Sequence, residues 1–164
     1  MSFSEPTTDS SELQHIKAVW SRMQGNSPIY DFLFGSSQGT INQLSFISAT
    51  KGSFVCHLTL SPQHLNSRGH LHGSVSATIV DWAGGLSIAT HGLEKTGASV
   101  DIHVTYQSTA ALGDVVAIEG TCTKLGGSLA FTDVVIRKAK TADGSGKGEG
   151  GVVAKATHTK YIRR

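Results

Sequence analysis

Apolar positions set two rhythms along the chain. Leu13, Ile16, Val19, Trp20 and Met23 recur at the spacing of one helical face, with Ser10 or Ser11 placed as N-cap, so residues 10–24 are predicted helical. The breaker Gly25-Asn26-Ser27-Pro28 ends that helix, and the apolar run 29–34 has the length of one or two helical turns. Beyond it the period falls to two. Phe54, Cys56, Leu58 and Leu60 alternate with Val55, His57 and Thr59, and 39–47 with 53–60 form a predicted hairpin across Thr50-Lys51-Gly52. Residues 61–72 follow neither rhythm. Residues 74–90 hold no proline and carry Val75, Ile79, Val80, Leu86 and Ile88, which predicts a long helix. Strand alternation returns at 99–107, 114–124, 128–138 and 152–162. This order, with only hairpin-length links late in the chain, implies an α+β fold with an antiparallel β-sheet packed on one central helix.

Glycine placement refines the plan. Gly84 and Gly85 lie together inside the long helix, each about 1 kcal/mol worse there than alanine, so the helix is expected to pass close against the sheet. The stretch 139–151 mixes Gly144, Gly146, Gly148, Gly150 and Gly151 with Lys, Asp and Glu, the composition of a flexible hairpin excursion.

The 164 residues suffice for one core but not two, giving a domain plan of an N-terminal helical extension over 1–38 and a main domain over 39–164. Apolar residues at 38% against charged residues at 16% exclude a disordered chain. A net charge of +2 is too small for a sequence-independent nucleic-acid binder, so any phosphate recognition must be local. Cys56 and Cys122 sit in apolar strand-like runs, where a thiol behaves as a small buried hydrophobe in a reducing compartment. There is no long apolar span and no signal-peptide core. The start lacks the arginines of a mitochondrial presequence, and Tyr-Ile-Arg-Arg is not a peroxisomal tripeptide. A soluble cytoplasmic protein without membrane insertion is expected, with the mitochondrion left open.

Three motifs fail on context. Gly35-Ser36-Ser37-Gln38-Gly39 spells G-x-S-x-G, but a nucleophile elbow joins a strand to a helix, and here a strand pattern follows. The spacings of His64, His70 and His72 match no zinc signature and no cysteine is near, so no metal is expected. Gly146-Lys147-Gly148 lacks the Ser or Thr and the following helix of a P-loop.

What remains is Asn66-Ser67-Arg68-Gly69-His70-Leu71-His72-Gly73, followed by a helix whose one acidic residue is Asp81. Gly69 and Gly73 permit tight turns, and a helix start offers unpaired N–H donors and a dipole that favours negative charge, the makings of an oxyanion site. Asp81, set among Ile79, Val80 and Trp82, is costly to bury without a partner or a task. It lies about 12 Å along the helix axis from Gly73. If both act on one carbonyl, the acid must come from a second subunit, with helices meeting at a dimer interface.

The stretch from Asn66 to Asp81 resembles the H-G-G region of PaaI-type hotdog thioesterases, and within them the thioesterase superfamily member 2 group. The likeness extends over 44–161, through Ala98-Ser99-Val100-Asp101 with Thr105-Tyr106, Ala110 with Leu112-Gly113, Leu129-Ala130-Phe131-Thr132 and His158-Thr159-Lys160. It implies a sheet wrapped around the long helix, acyl-CoA as substrate, hydrolysis to acid and CoA without a cofactor, and a homodimer paired again into a homotetramer. By resemblance, Gly73 supplies the oxyanion N–H, Asp81 of the facing subunit is general base toward water or else nucleophile, Asn66 orients water or thioester, Ser99 holds the water, and His72 braces the Gly73 loop. Implied CoA contacts are Asp101, then Tyr106, Gln107, Ser108, Thr109, Ala110 and Ala111, then Lys124, Leu125, Gly126, Gly127, Ser128 and Leu129, and the terminal Tyr161. Lys124, Arg68, Lys160 and Arg163 are candidate phosphate donors. Two positions depart from the pattern: Ser74 replaces the second glycine of H-G-G, and Tyr161 stands where the group carries a histidine. A non-catalytic acyl-CoA sensor or scaffold would not need Asn66, Asp81 and Ser99 together, and a hotdog hydratase would show a D-x4-H pair that is absent here.

Overall fold

The structure, a computed structural model, describes residues 9–35, 44–139 and 150–163. Its first helix, α1 (Ser11–Met23), is capped by Ser10, whose side chain accepts the Leu13 N–H at 3.1 Å, and it buries the predicted face Leu13, Ile16, Val19 and Trp20. The helix α2 (Pro28–Phe34) opens with proline, which lacks only an N–H the first turn would leave unpaired, and closes on Gly35 at φ 83°. Then follow β1 (Leu44–Thr50), β2 (Ser53–Thr59), α3 (Gly73–Ala89), β3 (Ala98–Tyr106), β4 (Val115–Leu125), β5 (Leu129–Lys138) and β6 (Val152–Tyr161). One 3-10 turn, Pro62–His64, interrupts the stretch that had no rhythm. The expectations placed on 36–43, including most of the G-x-S-x-G segment, and on 140–149 lie outside the described residues.

All strand pairings are antiparallel, and the six strands lie in the order β1-β2-β4-β5-β6-β3. The sheet curls around α3, which packs on β2, β3, β4, β5 and β6. This is the hotdog arrangement. The helix α1 packs on both β1 and α3, and the apolar faces of α1 and α2 join the same core cluster as the sheet. Trp82 is the hub, 1% exposed. The Trp20 ring meets it edge-on at 5.5 Å, Phe34 lies at 4.7 Å, and Phe54 and Phe46 close in at 5.9 and 6.2 Å. A smaller cluster of Ile88, Cys122, Ala130 and Ile162 fills the other end of α3. Both cysteines are free and buried.

Gly84 is where helix and sheet touch, and Gly85 is where the helix meets the loop before β3. A Cβ on Gly84 would stand 2.6 Å from His158 Nδ1 and 2.8 Å from Thr132 Oγ1, and one on Gly85 would stand 2.8 Å from Thr96 Cβ. Overpacking of this kind typically costs about 1–3 kcal/mol, against a helix-propensity gain of about 1 kcal/mol. Gly84→Ala is therefore expected to destabilise by up to about 2 kcal/mol, seen as a lower urea midpoint at unchanged slope. A midpoint that rises would show that His158 and Thr132 yield without cost.

The strand β3 ends the sheet and is exposed along almost its whole length, with Val100 60% and Tyr106 55% exposed. Among the described residues, no helix is long and apolar enough to cross a membrane.

Candidate active site

The loop before α3 is wound on one side chain. Asn66 Oδ1 accepts the Arg68 N–H at 2.9 Å and the His70 N–H at 3.2 Å, while Gly69, at φ 76°, donates its N–H to the Asn66 carbonyl. With its oxygen so used, the Asn66 amide offers its Nδ2 end to a ligand. The loop is tied down on both sides. Leu71 donates to the Ala110 carbonyl, His70 bridges to Ala111, and His72 donates to the His64 carbonyl. His64 is fully buried. Its Nδ1 accepts the Ser61 N–H at 2.9 Å, so its Nε2–H is the donor to the Leu33 carbonyl at 2.6 Å, which links the loop to α2.

His72 caps α3. Its Nδ1 accepts from the Ser74 N–H at 3.1 Å and lies 2.8 Å from the Ser74 hydroxyl, so its acceptor nitrogen is committed to the helix start. Gly73 is the first residue of α3, and its N–H is one of those the helix cannot pair. The Tyr106 hydroxyl donates to the Gly73 carbonyl at 2.9 Å, with its ring laid against the glycine. Ser74, the second residue of α3, is accommodated at the helix start by its N–H and hydroxyl contacts with His72.

Asp81 lies eight residues further along the same helix, and four side chains converge on it. The Ser99 hydroxyl donates to Oδ1 at 2.7 Å, Lys160 Nζ donates to Oδ1 at 3.2 Å, the Tyr30 hydroxyl donates to Oδ2 at 2.8 Å, and His158 Nε2 lies 3.7 Å from Oδ1. Burial alone would push the Asp81 carboxyl up, but the Ser99 bond, the Lys160 charge and the Tyr30 bond together hold it below the usual carboxylate value of 3.8. It is ionised at neutral pH. Burial, and then the Lys160 charge, push His158 down against the opposing pull of Asp81, so its ring is neutral. The Ser99 oxygen, whose proton goes to the carboxylate, also lies 3.0 Å from His158 Nε2 and 3.4 Å from Lys160 Nζ. Asp81 and Ser99 border an open pocket of about 430 Å3 also lined by Ser27, Ile29, Tyr30, Ala77, Thr78 and Ile102.

Sequence reasoning placed Asn66, His72, Gly73, Asp81 and Ser99 here, and the structure brings them into two groups: Asn66, His72 and Gly73 at the head of α3, Asp81 and Ser99 at its middle. It gave no role to Tyr30 or His158, and it placed Lys160 among the phosphate donors. Lys160 is instead 4% exposed and bound to Asp81 and Ser99, so it has no reach to a phosphate in solvent. A signal was available for two of the three: β6 alternates, and Ala154, Ala156, His158 and Lys160 share its buried phase. Polar residues in an apolar phase demand a partner. Among the described residues, no three His, Cys, Asp or Glu side chains gather as metal ligands.

Of the implied CoA contacts, Tyr106, Ala110 and Ala111 meet the Gly73 loop, and the others fall elsewhere. Leu129 pairs with Tyr161 and Asp101 with Thr159, which puts Leu129, Tyr161 and Asp101 on the sheet face opposite Ser99, His158 and Lys160. Lys124, Gly127 and Ser128 are exposed around the β4–β5 turn, Leu125 and Gly126 are partly covered, and the Gly126 N–H donates to the Leu129 carbonyl. In the β3–β4 connection, Gln107 and Ser108 donate to the Val153 carbonyl, Thr109 is exposed, Ala110 is buried, and the Ala111 N–H donates to Asp114. Arg68 and Arg163 are exposed.

Known proteins share this plan. The sequence profile of the Thioesterase superfamily matches residues 68–145. Human acyl-coenzyme A thioesterase 13 is 32% identical over 74% of this chain and 81% of its own length. The crystal structure of zebrafish thioesterase superfamily member 2 superposes with a TM-score of 0.75 at 29% identity, over 93% of this chain and 99% of that one. A Streptococcus pneumoniae hypothetical thioesterase protein, solved with coenzyme A, superposes at 0.64 with 25% identity, over 77% and 95%. With its curled sheet, its central helix and this degree of identity, the chain belongs to the thioesterase superfamily as a hotdog-fold thioester hydrolase.

Proposed function

We propose that the protein hydrolyses an acyl-CoA thioester to free acid and CoA, with Asp81 as general base and with Gly73 and Asn66 of the facing subunit polarising the thioester carbonyl. The observation that carries this reading is the ionised, half-buried Asp81 carboxylate, oriented by Ser99 beside an open pocket. The acyl-coenzyme A thioesterase name of the human relative and the coenzyme A held by the pneumococcal protein support the substrate class.

In the reaction, Asp81 accepts a proton as water attacks the carbonyl carbon, and the resulting oxyanion is met by the Gly73 N–H and Asn66 Nδ2. Collapse breaks the C–S bond, and the proton held on Asp81 passes to the departing CoA thiolate. Ser99, fixed by His158, keeps Oδ1 from rotating and aligns the attacking water. Gly73 and Asp81 of one chain are separated by about 12 Å along α3. Each site therefore draws Asp81 from one subunit and the oxyanion donors from the other. The exposed edge strand β3 suits a two-fold pairing that extends the sheet, and Leu129, Phe131 and Tyr161 give the outer face an apolar patch for a second pairing into a tetramer.

Mixing variants tests the arrangement directly. An Asp81→Ala chain and an Asn66→Ala chain should each be nearly inactive alone. Dissociated and reassociated together, they should regain activity, because the mixed dimer holds one site with both groups intact. No recovery in a mixture shown to form heterodimers would place both groups of a site within one chain.

A further inference from the structure

We propose that Tyr30 is a positioning residue for the hydrolysis, its hydroxyl holding Oδ2 of Asp81 so that the short helix α2 forms part of the active site. This rests on the reading of Asp81 as base. Ser99 and Lys160 both act on Oδ1, at 2.7 and 3.2 Å, while Tyr30 is bonded to Oδ2, at 2.8 Å. Both oxygens are thus pinned from opposite sides, and a turn of the carboxylate breaks one bond or the other. The two sets of partners come from sequence positions far apart, β3 and β6 on one side and α2 on the other.

The phenol is itself held in place. Its ring lies 6.3 Å from that of Trp20 and 6.1 Å from that of Phe34. The Asp31 carboxylate accepts the Gly25 N–H at 2.9 and 3.1 Å, which fixes the turn into α2, and the His64 bond to the Leu33 carbonyl fixes its far end. Packing alone would be served as well by phenylalanine, whereas a hydroxyl aimed at an ionised carboxylate makes a charge-assisted bond. Burial first, and then the bond and charge of Asp81, push the Tyr30 phenol up, so it stays a donor throughout the working range. Ile29 and Tyr30 also line the pocket beside Asp81, so α2 borders the space where substrate would enter.

The test is Tyr30→Phe, which keeps the ring and removes the donor. The bond favours the charged form of Asp81, so its loss raises the Asp81 pKa, and activity should fail at a higher pH as the medium is acidified. Lys160 and His158 from β6, and Asp101 of β3 through its effect on His158, are the other charged or titratable groups around the site, and all are unchanged in the variant. Expected are a kcat lower by about tenfold, the scale of one hydrogen bond to a charged group, KM nearly unchanged, and the acid limb of the kcat profile moved upward. Tyr30→Met, which keeps bulk without a donor, should show the same upward limb. If both variants keep the wild-type limb, Tyr30 is only a packing residue and the proposal is overturned, whatever happens to kcat. An Asp81→Asn control with full activity would overturn the reading of Asp81 as well. An inactive control beside an unshifted Tyr30→Phe overturns the role of Tyr30 alone.

Discussion

An Asp81→Asn protein is expected to lose about 10^3-fold in kcat, within the range general bases contribute, while remaining folded. Asparagine keeps an oxygen that can accept from Ser99 and Lys160 but has no basicity toward water. Both changes take the counter-charge from Lys160, which is 4% exposed, but alanine is the harsher because it also leaves Ser99 and Lys160 without an acceptor. Thiol release from short, medium, long and aromatic acyl-CoAs measures the loss, and circular dichroism confirms the fold. Hydrolysis retained within tenfold of wild type would remove Asp81 from the chemistry. The same substitution should alter the acid response of stability. Because the folded-state Asp81 pKa is lowered, its contribution is present above the unfolded value near 3.8 and is lost as pH falls through the folded one. The Asn variant should lack that component of acid sensitivity.

Trp82→Ala is expected to be the most damaging core change, at about 3–5 kcal/mol, the usual cost of removing a buried large aromatic. For a chain of this size that corresponds to a fall in Tm of roughly 10 °C, measurable by calorimetry. Four aromatic rings converge on this side chain, two from α1 and α2 and two from the β1–β2 hairpin. Its loss opens the seam where the N-terminal helices join the sheet. A cost below about 1 kcal/mol would mean that the surrounding rings collapse into the space.

The fold was legible because its rhythms are clean. Period two in β2, β4, β5 and β6 and the proline-free stretch of α3 placed the elements within a residue or two of where they lie. The glycine pair foretold the close approach of α3, though only the structure shows that His158, Thr132 and Thr96 are what it approaches. The loop from Asn66 to Gly73 could be read from its turn formers and the helix start behind it. The surroundings of Asp81 could not. Ser99, His158 and Lys160 meet there through the pairing of β3 with β6, two strands distant in sequence, and strand order is a long-range property that local patterning does not contain. Tyr30 left no signal at all, since a lone tyrosine in a short apolar helix reads as packing, and its partner is 51 residues away.

The edge position of β3 carries a cost as well as an opportunity. A nine-residue strand with an open row of N–H and C=O groups, and with Val100 and Ile102 uncovered, is a template onto which any extended chain can add. A chain that leaves this edge open is expected to be prone to aggregation. In the proposed dimer, the contact that completes each site would also shield this edge. Selection against insoluble protein would then preserve the interface even where catalysis is under little demand.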